Sequence, residues 1–80
     1  MRTPHWFLKI YGKSNDTPDQ VYQLNITTEE LQHLFGEPPG NPMYDCYQVA
    51  DAQTAALERL IGERILLSAY DYFVECESDG

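Results

Sequence analysis

Two histidines and two cysteines are the residues whose types could support nucleophilic catalysis or metal binding. His5 and His33 could act as general bases, but no serine or cysteine stands near either one in a pattern typical of an activated nucleophile. Cys46 and Cys76 lack partners at the spacing of a zinc site. We therefore interpret all four as ordinary surface, boundary or sheet residues.

Carboxylates at close spacing are the other candidates for chemistry, as pairs that could act as general acid and base. Glu29 is followed by Glu30, and Asp71 precedes Glu75 by four positions. Such pairs on a helix or an open sheet face are usually solvated. A glycine-rich phosphate loop and a His-Glu-x-x-His motif are both missing from the sequence. We predict that the protein is not an enzyme, with no catalytic residues, no metal and no cofactor.

Composition favours one small acidic domain spanning residues 1–80. The 80 residues include five Lys and Arg against thirteen Asp and Glu, for a net charge of −8, and 42% are hydrophobic. This apolar fraction is enough for a core and argues against disorder. The charge has the wrong sign for direct binding of nucleic acid. No apolar run is long enough for a membrane helix, and the N-terminus lacks the pattern of a secretory signal, so we expect a cytoplasmic protein.

The charge is distributed unevenly along the chain. Residues 1–28 carry a net charge of +1, whereas residues 29–80 carry eleven acids against Arg59 and Arg64, for a net charge of −9. One interpretation is solubility, because a net charge far from zero keeps small proteins apart. The other is a surface that attracts a basic partner, since complementary charge accelerates association.

Alternating hydrophobic residues predict the elements that would position these groups. Residues 5–11 and 20–26 predict an antiparallel hairpin around a polar loop. Thr27 and Glu30 match a capping box at the start of a short helix that Gly36 ends. After a proline-rich loop at 37–42, residues 43–49 predict a third strand.

Asp51 is predicted to cap a second helix over residues 52–61, which Gly62 ends. Residues 64–67 are either a strand or a packed approach to the last strand, predicted at 70–76. The fold class is therefore α+β: an antiparallel sheet of about four strands with one or two short helices packed on one face.

So short a chain can cover only one face of this sheet, and the other must contact water. The alternation assigns to the helix side Trp6, Leu8, Ile10, Tyr22, Leu24, Ile26, Tyr47, Val49, Tyr70, Tyr72 and Val74. The opposite side then carries Phe7, Lys9, Tyr11, Tyr44, Cys46, Gln48, Asp71, Phe73 and Glu75. Interface centres favour aromatic residues, and their rims are polar. Alternatively, these aromatics only cover the sheet edge or contact a loop, and a register slip of one residue would exchange the two faces.

Several short motifs from Leu34 to Glu75 resemble the cloacin-type immunity proteins, which neutralise ribonuclease colicins, and the small acidic immunity proteins of contact-dependent growth-inhibition systems. Leu34-Phe35-Gly36-Glu37-Pro38 is similar to the family's Leu-Gly-Val-Pro stretch, and the loop Pro39–Pro42 follows at a similar length. Cys46-Tyr47-Gln48-Val49 is similar to its Cys-aromatic-polar-Val strand, and Tyr70-Asp71-Tyr72-Phe73-Val74 to its closing aromatic-Phe-Val strand. The hairpin from Trp6 to Leu24 agrees in type.

The resemblance implies a four-stranded antiparallel sheet with a helix on one face and a bacterial immunity protein that binds a toxin's cytotoxic domain through the uncovered face. The family's strand cysteine, which influences toxin recognition, maps to Cys46. We expect Tyr44, Cys46 and Phe73 at the interface centre, with Lys9 and Tyr11 toward one edge.

Asp45, Asp71 and Glu75 would pair with toxin cations, and Phe7 and Gln48 complete the predicted toxin-binding set. The partner would be a basic toxin C-terminal domain, such as a nuclease, with neither nucleic acid nor membrane bound directly. An acidic adaptor or regulatory domain with no toxin partner is the alternative. The toxin's identity, whether its active site is covered, and the oligomeric state stay open.

Overall fold

A four-stranded antiparallel sheet carries two helices on one face. The computed structural model describes residues 4–78, without the side chain of Ser78, so both ends of the predicted domain lie outside the described residues. The elements are β1 (Pro4–Gly12), β2 (Gln20–Leu24), α1 (Thr28–Phe35), β3 (Tyr47–Gln48), α2 (Asp51–Ile61) and β4 (Tyr70–Ser78). The strand order is β2-β1-β4-β3, and every pairing is antiparallel. The predicted α+β fold is confirmed.

The two long central strands, β1 and β4, bury alternate side chains beneath the helices. Leu8 and Val74 lie directly opposite each other and are both completely buried. The same side of the sheet contributes buried Trp6, Ile10, Leu24 and Tyr72, and the helices add Leu31 and Leu57. Period-two alternation therefore predicted the buried face of the two central strands, except at Tyr70, which is exposed at the start of β4.

The third strand is much shorter than the predicted 43–49, because the chain turns sharply at Met43. This residue has a left-handed backbone (φ 62°) and a fully buried side chain. Its carbonyl accepts a 2.8 Å hydrogen bond from the Trp6 indole N–H. Residues 43–46 therefore form a loop, and only Tyr47 and Gln48 pair with β4.

The predicted cap of the first helix, Thr27, is confirmed. The second helix begins one residue earlier than predicted. Thr27 Oγ1 accepts a hydrogen bond from the Glu30 backbone N–H, and the Glu30 carboxylate accepts one from the Thr27 N–H, both at 3.1 Å. In α2 the extended residue before the helix is Ala50, so Asp51 is the first helical residue rather than the cap. The Gln53 side chain accepts the Ala50 N–H at 2.9 Å instead.

The end of β2 differs from the sequence prediction, and the structure decides between the two alternatives for residues 64–67. Strand β2 ends at Leu24, and Ile26 leads into α1 as a half-buried residue. The run 64–67 is not a strand; it is the packed approach, with Ile65 buried in the core. Between residues 4 and 78, neither helix is long and apolar enough to cross a membrane.

Candidate functional site

The side of the sheet opposite the helices has no element packed over it within the described residues. The strand pairings place Phe7 opposite Glu75, Lys9 opposite Phe73, and Tyr11 opposite Asp71. Gln48 lies beside Phe73 on the other flank. We call this surface the open sheet face: Phe7, Lys9, Tyr11, Gln48, Asp71, Phe73 and Glu75. These seven predicted residues are brought together by β1, β3 and β4.

Both lysines near the open sheet face form ion pairs with its carboxylates. Lys9 Nζ lies 3.4 Å from Glu75 and 2.9 Å from Glu77, and Lys13 Nζ lies 2.7 Å from Asp71. These ion pairs therefore combine two lysines with three carboxylates, which leaves a small negative excess. Most of the excess negative charge lies elsewhere on the chain.

Two aromatic residues of this face, Tyr11 and Phe73, are in contact with each other. Tyr11 and Phe73 meet edge to face, with ring centroids 5.6 Å apart and ring planes at 82°. The Tyr11 hydroxyl donates a 3.0 Å hydrogen bond to Glu75 Oε2. Tyr11, Phe73 and Phe7 are each half-buried. The rings are therefore fixed in place and still partly accessible to a partner.

The predicted site residues Tyr44, Asp45 and Cys46 are in the loop before β3, and all three are exposed. Only Cys46 lines a cavity at the open sheet face. Cys46 lines a cavity together with Tyr11 and Phe73, as the sequence prediction placed it. Tyr44, with 62% of its surface exposed, and Asp45 do not line this cavity. The strand alternation that grouped Tyr44 with Cys46 does not apply, because neither residue is in a strand.

Sequence reasoning missed the polar loop between β1 and β2 and the last acid of β4. Ser14, Asn15 and Asp16 line the same cavity as Cys46, and no periodic signal could have placed an irregular loop there. Glu77 continues the alternation of Asp71, Phe73 and Glu75, so a longer predicted strand would have included it. Among residues 4–78, no group of three or more His, Cys, Asp or Glu could hold a metal ion.

A family model matches residues 5–75, which is most of the chain. The chain belongs to the family DUF7683, described as a domain of unknown function. Comparisons with curated proteins and with solved structures gave no significant match. The matched range includes every residue of the open sheet face.

Tyr11 on the open sheet face and the neighbouring Cys46 both have raised pKa values. Burial is the first cause of the raised pKa of the Cys46 thiol, the negative charge of Glu75 adds to it, and Lys9 opposes it. Burial is also the first cause of the raised pKa of Tyr11, followed by its hydrogen bond to Glu75 and the charge of Glu75. Glu75 therefore disfavours negative charge on both neighbours.

Cys46 alkylation offers a direct measurement of this coupling. In a Cys76→Ser background, we expect Glu75→Gln to lower the Cys46 pKa, because it removes a nearby negative charge. Only the thiolate reacts, so the iodoacetamide rate at pH 8 should rise, by about twofold to fivefold for a partly exposed charge pair. The pH–rate profile should move to lower pH. An unchanged or slower rate would contradict the geometry described here, and Asp51→Asn on α2 is the matched control.

Alkaline pH is expected to destabilise the fold. The pKa values of Cys46, Cys76 and Tyr11 are raised chiefly by burial, and that of Lys9 chiefly by its hydrogen bond to Glu77. The folded chain therefore holds these protons to higher pH than the unfolded chain, and stability falls as pH rises above about 9. Urea midpoints at pH 7, 9 and 10.5 should decrease in that order. A flat or rising series would contradict this expectation.

Proposed function

We propose that this protein is a cytoplasmic immunity protein that binds the basic cytotoxic domain of a bacterial toxin, such as a nuclease, through the open sheet face. It has no chemistry of its own and acts by excluding the toxin's negatively charged substrate. The observation that carries the proposal is the uncovered sheet face, with aromatic side chains fixed among carboxylates. The motif resemblance to cloacin-type and contact-dependent growth-inhibition immunity proteins supports the same function.

The aromatic part of this face supports a role as the centre of an interface. Interface centres are enriched in aromatic side chains, and a few of them supply most of the binding energy. Phe73 is on a central strand, flanked by Lys9 on β1 and Gln48 on β3. Its contact with Tyr11 restricts the motion of both rings. Little side-chain entropy is then lost when a partner covers them.

The charges near this face act on association in two ways. Asp71 and Glu75 are already paired with lysines, so toxin cations would compete with Lys13 and Lys9 for these carboxylates. Asp45 is exposed and has no ion pair with another described residue. The remaining negative charge of residues 29–80 attracts a basic domain over a distance of about 8 to 10 Å at physiological salt. We therefore assign the acids mainly to the association rate and the aromatic centre to the dissociation rate.

The test is a pull-down from the native lysate with the tagged protein and, in parallel, with a Phe73→Asp variant, followed by mass spectrometry. The immunity function predicts that a basic C-terminal fragment of a large secreted protein binds the wild type and not the variant. Co-expression of that fragment should kill cells carrying the variant and spare cells carrying the wild type. Recovery of only metabolic or regulatory proteins, with the toxin genes expressed, would favour the adaptor function instead.

A further inference from the structure

One end of the open sheet face contains a cavity of about 520 Å³. Tyr11 and Phe73 form its aromatic wall, and Asp71 and Glu75 line it from β4. The loop between β1 and β2 contributes Asp16. A ligand in this cavity would contact aromatic rings and carboxylates at the same time.

The loop that completes the cavity is held in a defined shape against the end of β1. The Asn15 backbone N–H donates to the Gly12 carbonyl at 3.0 Å, and the Asp19 N–H donates to the Ile10 carbonyl at 2.7 Å. A Cβ atom at Gly12 would lie 2.8 Å from the Asn15 side-chain amide, so a larger residue there would require that side chain to move. The hairpin therefore keeps Asp16 beside the aromatic wall.

The charge of this cavity favours a cation. Three carboxylates and no Lys or Arg line it. Asp71 and Glu75 interact with Lys13 and Lys9, which are outside the lining. Asp16 is exposed and forms no ion pair or side-chain hydrogen bond with any residue between 4 and 78. The raised pKa values of Cys46 and Tyr11, due first to burial and then to Glu75, agree with a negative potential.

The aromatic rings of Tyr11 and Phe73 favour arginine over lysine as the bound cation. A cation within about 6 Å of an aromatic ring is attracted to its face. Arginine also stacks its planar guanidinium on such rings, offers five N–H donors to carboxylates, and is less strongly hydrated than lysine. A guanidinium group can therefore stack on the rings of the aromatic wall and donate hydrogen bonds to the unpaired carboxylate of Asp16.

We infer that this cavity receives an arginine side chain of the bound partner, stacked against Tyr11 and Phe73 and paired with Asp16. The inference rests on the proposed function for the source of the arginine, a toxin domain. Recognition of the guanidinium itself is a property of this chain. It can therefore be measured without any toxin.

The experiment is an NMR titration of the ¹⁵N-labelled protein with N-acetyl-arginine methylamide. We expect saturable shifts of backbone amides at residues 11–16 and 71–75. The lysine analogue should bind more weakly. The citrulline analogue, which has nearly the same shape and no charge, should cause no saturable shift. Equal responses to arginine and citrulline, or no response to arginine, would overturn the inference.

Two matched variants test where on the protein the arginine analogue binds. Asp16→Asn is expected to weaken arginine binding about twofold to fivefold, the range for an exposed charge pair. Asp51→Asn makes the same chemical change at an exposed acid on α2 and should leave binding unchanged. Equal affinities for Asp16→Asn and the wild type would overturn the assignment of Asp16.

This inference and the proposed function fail in distinguishable ways. A toxin domain that binds wild type and Asp16→Asn equally would overturn the arginine cavity and leave the immunity function standing. Specific arginine binding with no toxin partner in the pull-down would overturn the immunity function and leave the cavity standing.

Discussion

Replacing Leu8 with alanine is expected to lower the free energy of unfolding by about 2–5 kcal/mol, the range for truncating a fully buried leucine. Leu8 is at the middle of β1, is completely buried, and lies between Tyr22 of β2 and Val74 of β4. The neighbouring strands hold their spacing through hydrogen bonds, so the core cannot collapse fully into the space. A domain of this size has a total stability of about 4–12 kcal/mol.

Urea denaturation followed by tryptophan fluorescence would measure this loss, because Trp6 is in the same core. Leu66→Ala is the matched control, since Leu66 has 46% of its surface exposed and should lose less than about 1 kcal/mol. If Leu8→Ala fails to fold, Leu8→Val tests the same site with a smaller change. Equal losses for Leu8 and Leu66 would contradict the burial described here.

The central strands were predictable because each has a consistent alternation of buried and exposed residues. Trp6, Leu8 and Ile10 alternate in β1, and Tyr72 and Val74 do so in β4. The capping box at Thr27 was predictable for a similar reason, since its signal is local and both partners are three residues apart. These features depend on neighbours in sequence and on one buried face.

The third strand was not predictable, because a contact across 37 residues decides the path of the chain there. The Trp6 indole fixes the Met43 carbonyl, and Met43 takes a left-handed backbone that ends any extended run. Gln32 acts similarly: its side-chain amide donates to the carbonyls of Pro39 at 3.1 Å and Asn41 at 2.6 Å, which holds the proline-rich loop. Nothing in residues 43–46 alone indicates either contact.

Some residues of the candidate site could be predicted from the sequence, and others could not. Its strand residues follow from alternation, so Tyr11, Phe73 and Glu75 could be grouped from the sequence. The lysine partners of Asp71 and Glu75 required the register between β1 and β4. Asp16 required the shape of an irregular loop, for which the sequence supplies turn-forming residues but no orientation.

Phe73→Ala is expected to weaken toxin binding by about 2 kcal/mol, or about thirtyfold in Kd, if the immunity function is correct. Truncation removes the ring at the centre of the open sheet face and the edge-to-face contact with Tyr11. The lost contact area is apolar, so most of the change should appear in the dissociation rate rather than in the association rate. Surface plasmon resonance with the captured toxin fragment would measure both rates.

Leu60→Ala is the matched control for Phe73→Ala. Leu60 is an exposed apolar residue on α2, on the side of the sheet opposite the open sheet face. Its truncation should change Kd by less than about threefold, as for a residue outside the energetic centre. A thermal melt of each variant separates lost binding from lost folding. If folded Phe73→Ala loses no more affinity than Leu60→Ala, the binding centre is not on the open sheet face.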